Sequence, residues 1–282
     1  MIQTQGRVKS LAVMALAFGS ILGWTIPAWA TDEAATISFQ EQMALDQQKR
    51  QILGGKQDPL GNRPHGETVD FRWKDTAVKR QFGGTCSTFG LVAAMENLLG
   101  GSIDLSERHG WSMYAQYSSR KALETFSRRG VVEEQYWPIQ DVCAKPNIQE
   151  SPRYRLGRFR AHGAQVSAAL DSLDRGIPIY MAFTTPKEMR ACRTVTSPNF
   201  KILRNRWGIK SAHAVAVVGY RIDRSIQGGG YFLVKNSWGD SCGDGGYQWY
   251  PFQGCWRRNT YCTLWSIDEV EIDSSKAPTD AL

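Results

Sequence analysis

The feature that most constrains the fold is a pair of apolar runs, Ala214 to Tyr220 and Tyr231 to Lys235, separated by the polar stretch Arg221 to Gly230 that ends in three glycines. Two such runs joined this closely are expected to pair as an antiparallel hairpin. The start of the first strand then lies beside the end of the second. His213 opens the first strand and Asn236 follows the second, so the hairpin makes them neighbours. Asn236 can then accept a hydrogen bond from one ring N–H of His213, which fixes the tautomer and aims the other nitrogen elsewhere. A lone histidine is ordinarily a packed or surface residue, and an asparagine at a strand end is ordinarily a turn former. Their coincidence at one hairpin base is what points to chemistry.

A second constraint sits far upstream. Cys86 to Leu99 reads as a helix ended by Gly100-Gly101. Phe89, Leu91, Val92, Met95, Leu98 and Leu99 are apolar nearly all round it, the mark of a buried central helix. Cys86 would occupy the first turn, where free N–H groups and the positive end of the helix dipole favour a thiolate. A neighbouring imidazolium would favour it further. Gly83-Gly84 ahead of the helix permit a sharp turn and a close substrate approach. Alone, the cysteine is equally well read as a buried structural thiol or a disulfide partner.

Three stretches together, Gln81 to Phe89, His213 to Tyr220 and Lys235-Asn236-Ser237-Trp238-Gly239, resemble the papain/cathepsin family of cysteine peptidases. Val69 to Arg72, Leu105-Ser106-Glu107 and Gly130 to Pro138 also resemble segments of that family, as does Gly243-Asp244-Gly245-Gly246-Tyr247. The resemblance implies an α+β, papain-like fold of two subdomains: a helical N-terminal half with a central buried helix, an antiparallel β C-terminal half, and an active-site cleft between them. It implies a thiol protease acting on a polypeptide substrate. Cys86 would be the nucleophile, His213 the acid–base, Asn236 the group that orients the imidazole, and Gln81 the oxyanion donor. Trp238 would lie over the His213–Asn236 pair and shield it from water.

The chain departs from the family pattern at several positions. Gln81 stands five residues before the cysteine where the family has six. Ser87 and Cys242 replace tryptophans, and the glycine pair that binds substrate backbone has no clear counterpart. An amidase or transpeptidase on the same scaffold, or a non-catalytic binding protein that kept the fold, would share most of these features.

The N-terminus reads as a targeting segment. Arg7 and Lys9 precede an apolar run from Leu11 to Ile26, and Ala28-Trp29-Ala30 closes it. Residues 1–30 are therefore expected to be a secretory signal peptide cleaved after Ala30, making the protein secreted or periplasmic with no stable membrane insertion. Residues 31–66 read as a short propeptide or N-terminal extension with a linker, including a helix candidate that starts at Ser38. Residues 67–282 would be the catalytic domain. Export permits disulfides. Setting Cys86 aside leaves Cys143, Cys192, Cys242, Cys255 and Cys262, enough for at most two bridges. The resemblance implies a late bridge from Cys192 to Cys255 or Cys262.

The formal charge is +7, of which Arg7 and Lys9 supply two. The scattered basic residues carry no nucleic-acid motif. His65, His109 and His162 stand alone in sequence and no Cys-x-x-Cys occurs. No metal or cofactor is therefore implied.

Overall fold

One sheet with a hydrophobic core on each of its faces organises the domain. The structure is a computed structural model that describes residues 60–61, 64–114, 118–140, 148 and 151–273. The expected signal peptide, the helix candidate at Ser38 and Cys143 lie outside the described residues. In chain order the strands are β1 (Thr68–Asp70), β2 (Arg153–Leu156), β3 (Phe159–Gly163), β4 (Ile179–Thr184), β5 (Ala212–Ile222), β6 (Gly230–Lys235), β7 (Tyr247–Pro251), β8 (Cys262–Ile267) and β9 (Val270–Asp273). The helices are α1 (Cys86–Leu98), α2 (Glu107–Tyr114), α3 (Ser119–Arg129), α4 (Val166–Asp174) and α5 (Lys187–Arg190).

The main sheet runs β3-β8-β4-β5-β6-β7, with β1 pairing to β5 beyond the end of β4. All these pairings are antiparallel, and β2 and β9 form a separate ribbon. The expected hairpin is β5–β6. Ala216 pairs with Lys235 and Ile222 with Gly230, with a bulge between Val217 and Gly219.

Alternation along the strands divides the two cores. Ile179, Met181, Phe183, Val215 and Val217 pack with α4 on one face. Tyr180, Ala182, Ala214, Ala216 and Val218 pack with α1 and α3 on the other. Strand β4 is buried at every residue because both its faces are covered. Helix α1 buries Ser87 through Asn97, as its apolar circumference predicts.

Helix α1 meets β5 backbone to backbone. A Cβ placed on Gly90 would lie 2.8 Å from the Val215 amide nitrogen and 3.0 Å from the Ala214 carbonyl carbon. Gly90 is one helical turn beyond Cys86 and on the same face. The missing side chain therefore lets the cysteine's end of the helix press onto the strand that carries His213.

Residues ahead of 67 also pack against this core. Leu60 is buried in the core beside α4. The His65 ring bonds Asp174 through Nδ1 at 2.7 Å and the Leu60 carbonyl through Nε2 at 2.9 Å. His65, isolated in sequence, thus approaches Asp171 and Asp174. Both ring nitrogens are engaged by oxygens of the protein itself.

Two disulfides are present among the described residues, Cys192–Cys242 and Cys255–Cys262. The expected link from Cys192 to Cys255 or Cys262 does not form. Cys255 and Cys262 close on each other across the short turn between β7 and β8. Cys192 instead meets the loop that follows Trp238.

Gly90→Ala is expected to destabilise the domain by about 1–3 kcal/mol, the usual cost of overpacking. Denaturant unfolding measures it, and an unchanged midpoint would show that the helix–strand contact is not tight.

Candidate active site

The cysteine, histidine and asparagine singled out in the sequence converge at the junction of α1 with the β5–β6 hairpin. Cys86 is the first residue of α1. The N-cap residue Thr85 spends its hydroxyl on the Phe82 carbonyl at 2.7 Å and places no side-chain cap over the helix end. The side chain of Thr85 therefore does not cover the first-turn amides. The backbone N–H groups of Cys86, Ser87 and Ala214 all lie close enough to favour charge on the Cys86 sulfur. Ala214 follows His213 directly, and Cys86 and His213 line one open cleft with Ser118, Ser119, Ala182 and Ala212.

A chain of hydrogen bonds fixes the imidazole. The Met189 and Arg193 carbonyls, which can only accept, sit 3.1 and 2.9 Å from Gln248 Nε2. That orients the Gln248 amide, whose Oε1 accepts from Asn236 Nδ2 at 2.6 Å. Asn236 Oδ1 then accepts from the Ser237 amide at 2.7 Å and faces His213 Nε2 at 2.8 Å. His213 Nε2 must carry the proton, so Nδ1 is the basic nitrogen. Trp238 stacks on the imidazole with ring centroids 4.4 Å apart and planes 18° apart, and Phe183 meets it edge-on at 5.9 Å. The pair is thereby shut off from water, as expected for Trp238.

Burial opposes charge on either reacting group alone. It pushes the Cys86 thiol up, against the backbone N–H groups that favour the thiolate. It pushes His213 down to about 4, against the Asn236 bond that favours the cation, and the Arg190 guanidinium lowers it further. At the sulfur the backbone N–H groups work against burial, and at the imidazole the Asn236 bond does.

Gln81 is held by the asparagine segment itself. Its backbone N–H donates to the Ser237 carbonyl at 2.7 Å, and its Oε1 accepts from the Ser237 hydroxyl at 2.7 Å. Arg80 bridges to Trp238 in the same short ladder. Gln81 Nε2 donates to the Gly83 carbonyl at 2.8 Å, in a turn where Gly83 takes φ +55°. This turn absorbs the one-residue shortening ahead of Cys86 and leaves the second amide hydrogen of Gln81 uncommitted by that bond.

The stretch leading to Gln81 is anchored by buried charges. Lys79 Nζ contacts Asp104 at 2.5 Å and Glu107 at 2.7 Å, with Glu134 at 3.5 Å and Glu96 at 3.7 Å. Lys235 Nζ binds the Thr76 carbonyl at 2.9 Å and lies 3.8 Å from Glu96. Burial, with repulsion from Glu107, pushes Glu96 up to about 8, and burial, with repulsion from Glu134, pushes Glu107 up to about 7. For Lys79, burial is outweighed by the surrounding carboxylates, which hold it well above the usual ammonium range.

The family description "Papain family cysteine protease" matches residues 116–262, just over half of the chain. The chain belongs to that family. Among curated relatives, Peptidase 1 of the mite Dermatophagoides farinae is 28% identical over 193 residues, covering 62% of this chain and 57% of the relative. Papaya proteinase 4 of Carica papaya is 25% identical over 237 residues, covering 73% and 64%. The chain thus spans less than two thirds of the length of these papain-family relatives. Among solved structures, xylellain, a cysteine protease from Xylella fastidiosa, superposes with a TM-score of 0.56 at 17% identity, over 74% of this chain and 88% of that one. The bromelain protease from Ananas comosus gives 0.54 at 20% identity, over 72% and 100%. These likenesses confirm the α+β papain-like fold.

Sequence reasoning missed Gln248, Ser237 and Arg190. Gln248 left a faint signal, an uncharged polar residue on the inward side of an alternating strand. Arg190, whose guanidinium lies 5.2 Å from the Trp238 ring centroid, left none. Ser118 and Ser119 also line the cleft, in the part of the chain where the family's glycine pair was sought.

Two outcomes are expected. In a Cys86→Ala variant, which removes the thiol proton donor, nitrogen NMR should find His213 neutral with its proton on Nε2 and titrating near pH 4. Titration near the ordinary 6.5 would contradict the buried relay. Gln248→Leu strands the Met189 and Arg193 carbonyls and should cost about 1–3 kcal/mol in chemical unfolding.

Proposed function

We propose that this protein is an exported cysteine-type peptidase that hydrolyses peptide bonds through Cys86, His213 and Asn236, with Gln81 completing the oxyanion site. The observation that carries this reading is the Gln248–Asn236–His213 relay, which leaves one basic nitrogen on an imidazole lining the same cleft as the only free cysteine among the described residues. A structural histidine needs no such tautomer control.

In this mechanism the Cys86 thiol proton passes to His213 Nδ1 as sulfur attacks the peptide carbonyl carbon. The S–C bond forms and the carbonyl π electrons move to oxygen. The Cys86 backbone N–H and the second Gln81 amide hydrogen bind that oxyanion. Collapse breaks the C–N bond, and the His213 imidazolium gives its proton to the departing amine. The acyl group remains as a thioester on Cys86. Water then attacks it, passing a proton to His213, and the second collapse releases the acid and regenerates thiol and imidazole. Asn236 holds the ring in one orientation throughout.

The two disulfides support an oxidising destination, in keeping with a signal peptide cleaved after Ala30. No helix among the described residues is long and apolar enough to cross a membrane. Residues following Ala30 would form a short propeptide or extension. The buried Leu60 supports keeping the chain from that residue onward in the mature domain.

Labelling with an electrophilic cysteine-protease probe, followed by peptide mapping, tests the proposal. Wild-type Cys86 should react at pH 6. His213→Ala should lower that rate by about 10²-fold or more and restore it only at alkaline pH, because burial then opposes the thiolate unaided. Gln81→Ala should leave labelling by a small alkylating agent largely intact yet lower peptide turnover by about 10²–10³-fold. Equal labelling of wild type and His213→Ala would overturn the paired-charge mechanism.

A further inference from the structure

A one-signed stretch leads into the strand that carries His213. After Glu188, from Met189 to Ser211, the chain carries Arg190, Arg193, Lys201, Arg204, Arg206 and Lys210, and no aspartate or glutamate. Arg190 ends helix α5, is exposed, and reaches over Trp238, the ring stacked on His213. Among the described residues no carboxylate pairs with it. Its charge is felt at the imidazole, which it disfavours as a cation. A guanidinium that opposes the histidine's own working charge is a cost to catalysis unless something else uses it.

The backbone around Arg190 is braced. The Cys192–Cys242 disulfide ties the residues just after α5 to the loop that follows Trp238. Gln248, the residue that orients Asn236, holds the Met189 and Arg193 carbonyls on either side of Arg190. Position is therefore set by the same bonds that set the catalytic imidazole. Such pre-organisation reduces the ordering cost of binding.

Beside α5 stands a short excursion, residues 201–211, that leads directly into β5. Its base is bonded to the chain ahead of α5, with Lys187 N–H donating to the Lys201 carbonyl at 2.8 Å and Leu203 N–H to the Thr185 carbonyl at 2.9 Å. Arg204 and Lys210 face each other across this hairpin. Like charges directly opposite destabilise a strand pair, and Arg204 together with burial lowers Lys210. Trp207 at its tip is 69% exposed. The positive charge of the stretch is thus unrelieved by any acidic residue within it, and its chain enters the cleft at Ala212.

The chemistry states which part of a substrate meets this side. His213 protonates the departing amine, so the first residue of the leaving fragment emerges next to the imidazole and beside Trp238. We infer that Arg190 selects substrates bearing a carboxylate on the leaving side of the scissile bond, with an aspartate or glutamate side chain at the first leaving residue preferred over neutral or basic ones. The cations of the 201–211 excursion would extend the same preference to residues further along the leaving fragment. This inference rests on the proteolytic reading above.

The test uses peptides identical except for Asp, Ala or Lys at the first residue after the cleaved bond. Wild-type kcat/KM should run Asp over Ala over Lys, with an Asp-to-Ala ratio of about fivefold at low salt, the upper end of what an exposed charge pair delivers. The ratio should shrink toward one as salt screens it. Arg190→Gln should collapse it to within about twofold, and Arg190→Glu should reverse the order. The acid limb of the wild-type pH profile should also move to higher pH in Arg190→Gln, because a cation next to His213 is gone.

The same peptides are also bound to the Cys86→Ala variant, with and without Arg190→Gln, and affinity is read by fluorescence anisotropy. This measures charge selection with no bond broken. An absent preference, or one that survives Arg190→Gln, overturns the inference whether or not the wild type hydrolyses peptides. Binding that follows the charge order with no hydrolysis of any peptide upholds Arg190's role and overturns the proteolytic reading alone.

Discussion

The amide of Asn236 is the contact on which the site depends. It is caught between a glutamine that can face only one way and an imidazole that must therefore face only one way. Two backbone carbonyls start this chain of constraint, and a ring nitrogen free of hydrogen ends it. The bonds at Asn236 and from Gln248 to Met189 are buried, so water cannot substitute there for a missing partner and a mispaired arrangement would strand a polar group. Tautomer control is in this sense a property of the fold. It follows from β7 lying beside β6, which lies beside β5.

The same economy governs charge. Burial opposes charge on the sulfur and on the imidazole, and only local hydrogen bonds work against it. The nearby lysine–carboxylate cluster works differently. There burial pushes Glu96 and Glu107 up while Lys79, joined at Glu96 by Lys235, pulls them down. That cluster fixes the approach to Gln81.

What the sequence disclosed follows from periodicity and from coincidence. The β5–β6 hairpin was legible because two clean apolar runs flank a glycine-ended loop, and His213 and Asn236 were legible because they fall at its two ends. Helix α1 was legible because its apolar residues occupy every face. Strand β4 was not, since the run Ile179 to Thr184 is buried on both faces and so lacks the alternation that marks a half-exposed strand. The disulfide partners were illegible because pairing depends on where loops end in space. The reach of Arg190 depends on a bridge formed fifty residues away in sequence. Gln81 was found only by resemblance, and its hold on Ser237 belongs to a two-residue ladder too short to leave a pattern.

The bare Gly90 has a mechanical consequence. Where helix α1 and strand β5 touch main chain against main chain, no flexible side chain lies between them to take up slack. The sulfur and the imidazole ride on parts that can only shift together, so their spacing is insensitive to movement in the loops that border the cleft. Change in those loops can then reshape the rim of the cleft without disturbing the helix–strand seat beneath Cys86 and His213.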